Sequence, residues 1–356
     1  MVVLDTIKFN KYKSRIGWID AARGISILII VYAHIYDESQ ISEFVHLFHV
    51  PVFFFLSGMV WKQSPNIKKT AFNLFYKLMI PYYICSIISI AVYTVLGKFF
   101  THNAESLPVI KCLAGMLYAN SKTGLMIWNR PLWFIPCLFI MKLIWEVISK
   151  KELWKFNRNI TVLLLFVIGL VWSYSPMRAI KAPFQLEVSL VMILFYALGV
   201  ECRKLFDDKN ISFEKINPLF ISGGIVFSFI VCLLVYKFND RISVQYSIYN
   251  NFVLFFAGAA FGITMLVLAS VNMRKLKLLQ VLGQNTLSVL LWHKFPILLF
   301  QTTGIGKSFL KNSDSITAII AGVILMIFSC ILSLAAAYVI GIISDWLDKK
   351  TVKSTE

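Results

Sequence analysis

"RIGWIDAARGISILIIVYAHIYDESQ", residues 15–40, has the length and composition of a membrane helix through its middle. It nevertheless carries Asp20 and Arg23 toward one end and His34 toward the other. An ionisable side chain at the centre of a bilayer costs on the order of 3 kcal/mol or more, so such groups face protein or a water-filled cavity. The spacing says how this segment arranges them. Arg23 and His34 stand eleven residues apart. At about 100° per residue that is about 20° past three full turns, which leaves both on one face, about 16 Å apart along the axis. The stretch therefore predicts a transmembrane helix with one polar stripe, and neighbours to cover it. A plainer alternative pairs Arg23 with Asp20, one turn away, and leaves His34 at a helix interface.

The rest of the chain is of the same kind. Of 356 residues, 58% are hydrophobic and only 15% charged, where a soluble domain has about 25% charged, and the mean hydropathy is +0.73. Apolar runs recur at 17–36, 44–61, 72–97, 131–149, 159–174, 184–202, 216–236, 248–271, 280–301 and 316–344. Each is near the roughly 20 residues that cross the hydrocarbon. The fold expected is all-α: a polytopic membrane protein of about ten helices forming one integral domain over 1–356, with a helical core at 16–344 and tails at 1–15 and 345–356. Of the 35 Lys and Arg, 21 fall in the connectors on the N-terminal side, 10 on the other side and four within spans. By the positive-inside rule this places both termini in the cytoplasm. It also accounts for the net charge of +17 without nucleic acid. The basic N-terminus is followed by no small-residue cleavage site, so the first helix reads as retained. Residues 98–130 have an apolar middle too short and polar to span, and read as an interfacial or re-entrant element. The six cysteines are scattered, without a C-x-x-C pair, and read as packing residues. No internal repeat is visible, which argues against inverted-repeat transporters.

Further polar residues sit at corresponding depth. "FVHLFHVPVFFFLSGMVW" (44–61) places His46 and His49 at i, i+3 beside Pro51, which suits a helix start or kink. The following Phe53, Phe54 and Phe55 read as packing, and Ser57-Gly58 as a close-packing site. "WNRPLWFIPCLF" (128–139) puts Arg130 and Trp133 at an interface, where a Trp is commonly just an anchor. "GQNTLSVLLWHKFPILL" (283–299) carries His293 and Lys294 in an apolar run, hard to account for as packing since only the lysine can snorkel. Asn285 and Ser288 are milder polar members of that segment. A neutral imidazole is the natural general base near pH 7, and a neighbouring cation can stabilise a developing oxyanion. His34, His49 and His293 as a three-histidine zinc site is the metal alternative, but no carboxylate ligand or H-x-x-H supports it.

These segments together resemble acyltransferase family 3 membrane proteins: the arginine and histidine separated by ten residues on the first helix, then "HVPVFFFLSG", "RPLWFIPCLF" and "GQNTLSVLLWH" in order. The likeness is greatest to the branch that O-acetylates bacterial surface sugars, such as capsule, O-antigen and fucose 4-O-acetylases, and runs from about residue 16 to 344. It implies ten helices in the bacterial cytoplasmic membrane. It further implies transfer of an acetyl or other short acyl group from cytoplasmic acyl-CoA, as a donor substrate rather than a bound cofactor. The acceptor is a hydroxyl of an exopolysaccharide, capsule, O-antigen or lipid-linked sugar. On this resemblance His34, Arg23 and His49 are the catalytic candidates and Arg130, Trp133 and His293 contact donor or acceptor, with no metal; the ionisable Asp20 and Lys294 join the second group on their placement in apolar stretches alone. The hydrolase-like domain fused to some members is not expected here. A transporter or flippase for a sugar or lipid-linked glycan is the rival reading.

Overall fold

Lipid offers backbone amides no partner, so a chain this apolar must satisfy them within helices. The computed structural model, which describes residues 16–100, 107–150, 158–209 and 216–353, meets that demand with helices and, among the described residues, no strand beyond one isolated bridge, Ser243 to Ile248. In chain order they are α1 (Gly17–Ala33), α2 (Gln40–His46), α3 (His49–Met59), α4 (Ile67–Leu74), α5 (Ile80–Phe100), α6 (Val109–Tyr118), α7 (Phe134–Ile148), α8 (Arg158–Tyr174) and α9 (Leu186–Asp208). Then follow α10 (Pro218–Phe238), α11 (Phe252–Asn272), α12 (Lys277–Gln284), α13 (Thr286–Trp292), α14 (Lys294–Thr302), α15 (Gly304–Lys311) and α16 (Ile316–Lys353). A π-helical turn, Phe75–Met79, joins α4 to α5.

Among the described residues seven helical segments are long and apolar enough to cross a membrane: Gln40–Met59, Ile67–Val95, Arg130–Ile148, Pro183–Asp208, Pro218–Phe238, Phe252–Asn272 and Ile316–Ile340. The protein is a multi-pass membrane protein. Three of the ten segments read from the sequence fall short of that length. α1 and α8 each have 17 residues, and 280–301 is not one helix. It breaks at Asn285 (φ −113°, ψ 22°) and again at His293. The second break follows from Pro296, which has no N–H to offer the carbonyl of Trp292. Gln40–Met59 is likewise two helices, and α3 begins at His49 with Pro51 in its first turn. Residues 109–118 form a ten-residue helix too short to span, as the composition of that stretch predicts.

α1 and α3 lie at the centre. α1 packs against α3, α11, α12, α13 and α16, and α3 against α9 and α11. All 11 residues of α3 are buried, and a helix enclosed on every side needs no polar face. Phe53 and Phe54 pack on the Phe134 ring, centroids 6.0 and 5.1 Å away, so the phenylalanine run faces protein rather than lipid. Reciprocal glycines permit the tightest approaches. A Cβ on Gly58 would lie 2.1 Å from the Tyr196 carbonyl oxygen, and one on Gly199 2.1 Å from that of Phe55. α1 and α12 meet similarly: a Cβ on Gly24 would lie 2.1 Å from the Leu279 oxygen, and one on Gly283 1.8 Å from that of Asp20.

The connectors segregate. At one end Trp18 packs on Phe206, and Lys150 reaches the Pro65 carbonyl (3.2 Å). At the other, hereafter the loop end, three connectors are tied around a buried ion pair. Lys122 Nζ lies 3.2 Å from Glu187 Oε1 and donates to Ser247 Oγ at 2.7 Å. Asn120 Nδ2 donates to Glu187 Oε1 (2.9 Å) and to the Ala182 carbonyl (2.7 Å). Gln185 Nε2 donates to the Gln245 carbonyl (3.0 Å). Burial depresses the Lys122 pKa from its ordinary lysine value, and the Glu187 carboxylate opposes that shift.

Substituting Gly58→Leu should cost about 3 kcal/mol or more through overpacking at a backbone contact. The expected outcome is loss of monodisperse protein on detergent size exclusion, while Ser57→Ala beside it leaves the elution profile unchanged.

Candidate active site

The stripe of α1 that carries Arg23 and His34 opens onto two cavities in succession. The first, about 720 Å³, lies at the loop end. Its walls include His34, His49, Arg130, Trp133 and Lys294, drawn from α1, α3, the start of the Arg130–Ile148 segment and α14. Arg241, residues 243–246 and Ile248 of the loop between α10 and α11 complete its lining and are called its roof below. The second, about 190 Å³, lies further along α1 and includes Arg23, Ser57, Lys142 and Thr286 in its walls. Ile30, Phe134 and Leu290 line both, so the two cavities adjoin at an apolar collar. On α1 the order Arg23, Ile27, Ile30, His34 follows i, i+4, i+7, i+11, which keeps all four on one helical face.

His34 caps α1 and stacks on His293, ring centroids 5.3 Å apart at 26°. His49 meets His46 edge to face at 4.6 Å. His293 is fully buried, its Nδ1 2.9 Å from the Val289 carbonyl oxygen. His49 Nδ1 lies 3.0 Å from the Val45 oxygen, and His46 Nδ1 contacts the Ser42 oxygen. A carbonyl only accepts, so in each of these rings Nδ1 carries the hydrogen, and in the neutral rings of His49 and His293 Nε2 keeps its lone pair, while His46 Nε2 faces Asp37 at 3.6 Å. In His293 that Nε2 is buried with no hydrogen-bond partner. His34 and His49 reach the cavity wall, whereas His293 stands behind His34.

The expected residues divide accordingly. His34, His49, Arg130, Trp133 and Lys294 share the loop-end cavity, and Arg23 lines the second. Asp20 lines neither of them: it is buried at the foot of α1, where its Oδ2 accepts a hydrogen bond from Gln284 Nε2 at 3.2 Å. Arg23 Nη2 donates to the Leu56 carbonyl at 3.4 Å, joining α1 to α3. Among the described residues no group of three His, Cys, Asp or Glu side chains could hold a metal ion.

Several participants escape a reading of the sequence. Lys142 on α7 lines the second cavity together with Arg23, and its signal was only an isolated lysine in an apolar span. Asp37 and Arg241 meet at the loop-end cavity, Nη2 to Oδ2 3.2 Å, and Arg241 Nη2 also donates to the Asp37 carbonyl at 3.1 Å. His46 Nε2 lies 3.6 Å from the other Asp37 oxygen. No local pattern announces a contact across 204 residues.

Residues 16–340 match the family model described as an acyltransferase domain. Neither the curated proteins nor the solved structures give a match to the chain.

The tautomers are directly measurable. Solid-state NMR of ¹⁵N-histidine-labelled protein in bilayers at pH 8 should show His49 and His293 protonated at Nδ1 and bare at Nε2. An Nε2–H signal assigned to His293 by its His293→Gln loss would contradict the hydrogen bond to Val289.

Proposed function

The chain belongs to acyltransferase family 3, and on that premise we propose that it moves an acetyl or other short acyl group from acyl-CoA to a hydroxyl of a surface or lipid-linked glycan. The observation that carries the reading is the pair of adjoining cavities on one face of α1, one walled by histidines and the other by Arg23 and Lys142. The loop end is taken to face outward, as the distribution of basic connectors favours. Donor and acceptor then approach from opposite sides, and the collar of Ile30, Phe134 and Leu290 marks where they meet.

In the proposed reaction His34 takes the proton of the acceptor hydroxyl as its oxygen attacks the thioester carbonyl. The tetrahedral oxyanion collapses, the C–S bond breaks, and the imidazolium returns its proton to the departing thiolate. Ester and free thiol are the products, and the atoms balance without a further reactant. His49 faces the same space and orients the hydroxyl, while His293, stacked behind His34, fixes the plane of that ring. Arg23 and Lys142 would hold anionic or carbonyl oxygens of the donor. Charge-assisted hydrogen bonds of that kind are each worth about 1.5–3 kcal/mol.

His34→Ala should abolish glycan acylation by membranes supplied with acyl-CoA, with the protein still present in the membrane fraction. Retained acylation would sink the assignment of the base. Lys142→Met should raise the KM for acyl-CoA about tenfold or more and leave the KM for the acceptor within twofold. A transporter would release no free thiol from acyl-CoA in either protein, so thiol release given a glycan acceptor separates the two classes.

A further inference from the structure

We infer that the loop-end cavity is shaped for an acceptor sugar bearing a negative charge, a carboxylate or a phosphate; this rests on the acyl-transfer reading above. At about 720 Å³ the cavity is within the range of small-ligand sites, and its polar groups have a marked asymmetry. Arg130, Arg241 and Lys294 line it against a single carboxylate, Asp37. That carboxylate is committed: Arg241 holds one oxygen at 3.2 Å and His46 stands 3.6 Å from the other. Arg130 and Lys294 have no ion-pair partner among the described residues. Three cations therefore line the cavity against one carboxylate that Arg241 already holds, with Arg130 exposed at its rim and Lys294 half-buried within it. A neutral sugar would leave this excess of positive charge in place, most costly at the half-buried Lys294, whereas an anionic substituent would pair with it.

The neutral polar groups specify the rest of the ligand. Asn129 is 2% exposed, and its Nδ2 donates to Ser89 Oγ at 3.1 Å. Its Oδ1 is buried without a partner and therefore calls for a donor, such as a hydroxyl. Gln245 Nε2 is also buried without a partner and calls for an acceptor. Both residues line the cavity beside Trp128 and Trp133. A hydroxyl-rich ring with one anionic substituent satisfies this set. A ligand with its own ammonium group would not.

The test is binding to the detergent-purified full chain by equilibrium dialysis, with glucuronate, glucose 6-phosphate and glucose as probes. At least one anionic sugar should bind tenfold or more tightly than glucose, and which one does so identifies the substituent as carboxylate or phosphate. The double variant Arg130→Gln, Lys294→Gln should bring the three within about threefold, and Arg130→Lys, Lys294→Arg should keep the preference. Glucose binding as tightly as both anionic sugars to the unaltered chain would overturn the inference, as would a preference that survives the glutamine variant. Should that variant not yield monodisperse protein, the comparison on the unaltered chain decides. Acyl-CoA binding and thiol release by the same preparation are measured separately. Their loss alongside a retained anionic preference counts against acyl transfer, and their presence without a preference counts against the charged acceptor alone.

Discussion

Everything in this fold answers to the cost of placing cations where hydrocarbon would otherwise be. Arg23, Lys142 and Lys294 all come from apolar stretches, and none can face lipid cheaply. The solution is to put the polar stripe of α1 at the centre and wrap it in protein. Ordinary side chains would hold the wrapping helices 8–10 Å from it. The glycine crossings with α12, and of α3 with α9, allow backbone to touch backbone instead. Those contacts draw α12 onto the foot of α1, and the turn at Asn285 then sends α13 up to bring His293 against His34. The crossing and the histidine stack are thus two ends of one packing arrangement.

How far this could be read from residues alone follows from the range of the interactions involved. Arg23 and His34 share a face because helical periodicity is local, and a count of eleven residues suffices to see it. The i, i+3 spacing of His46 and His49 was legible for the same reason. The break inside 280–301 was harder, because apolarity continues through it and only Asn285 and Pro296 mark where the hydrogen-bond ladder lapses. Lys142 was invisible as a partner of Arg23, since nothing on α7 records which face meets α1. The Asp37–Arg241 pair and the Lys122–Glu187 hub join segments far apart in sequence. Contacts of that kind emerge only when the chain is folded.

The loop end also shows how a membrane protein can keep a polar site organised outside its helical frame. Glu187 is fully buried, and a buried carboxylate is tolerable only when its oxygens are satisfied. Lys122, Asn120 and the Ala182 amide supply that set, one oxygen receiving Lys122 and Asn120 and the other the Ala182 N–H at 3.2 Å. Because the ligands come from different connectors, satisfying the charge also fixes those connectors against each other. Lys122 extends the network to Ser247, within the same loop that roofs the cavity. The roof is therefore held by an interaction outside the cavity, leaving Gln245, Arg241 and their neighbours available to face inward.

The collar between the cavities sharpens the chemical argument. Had the two been one polar channel, the basic groups at both levels would share water, and a passage for ions would run beside a reactive thioester. Ile30, Phe134 and Leu290 interrupt it with side chains that offer nothing to a hydrated ion. An acyl group and the slim arm behind it carry little charge, and can cross such a collar at far lower cost than the nucleotide to which they are attached. On the proposed reading, selectivity between arm and ion follows from the apolar residues that the two cavities share, with cations lining each cavity. If the acceptor fills the loop-end cavity as proposed, it displaces the water nearest His34. Exclusion of hydrolysis would then be a consequence of acceptor binding, and the fit of the acceptor would bear on yield as well as on specificity.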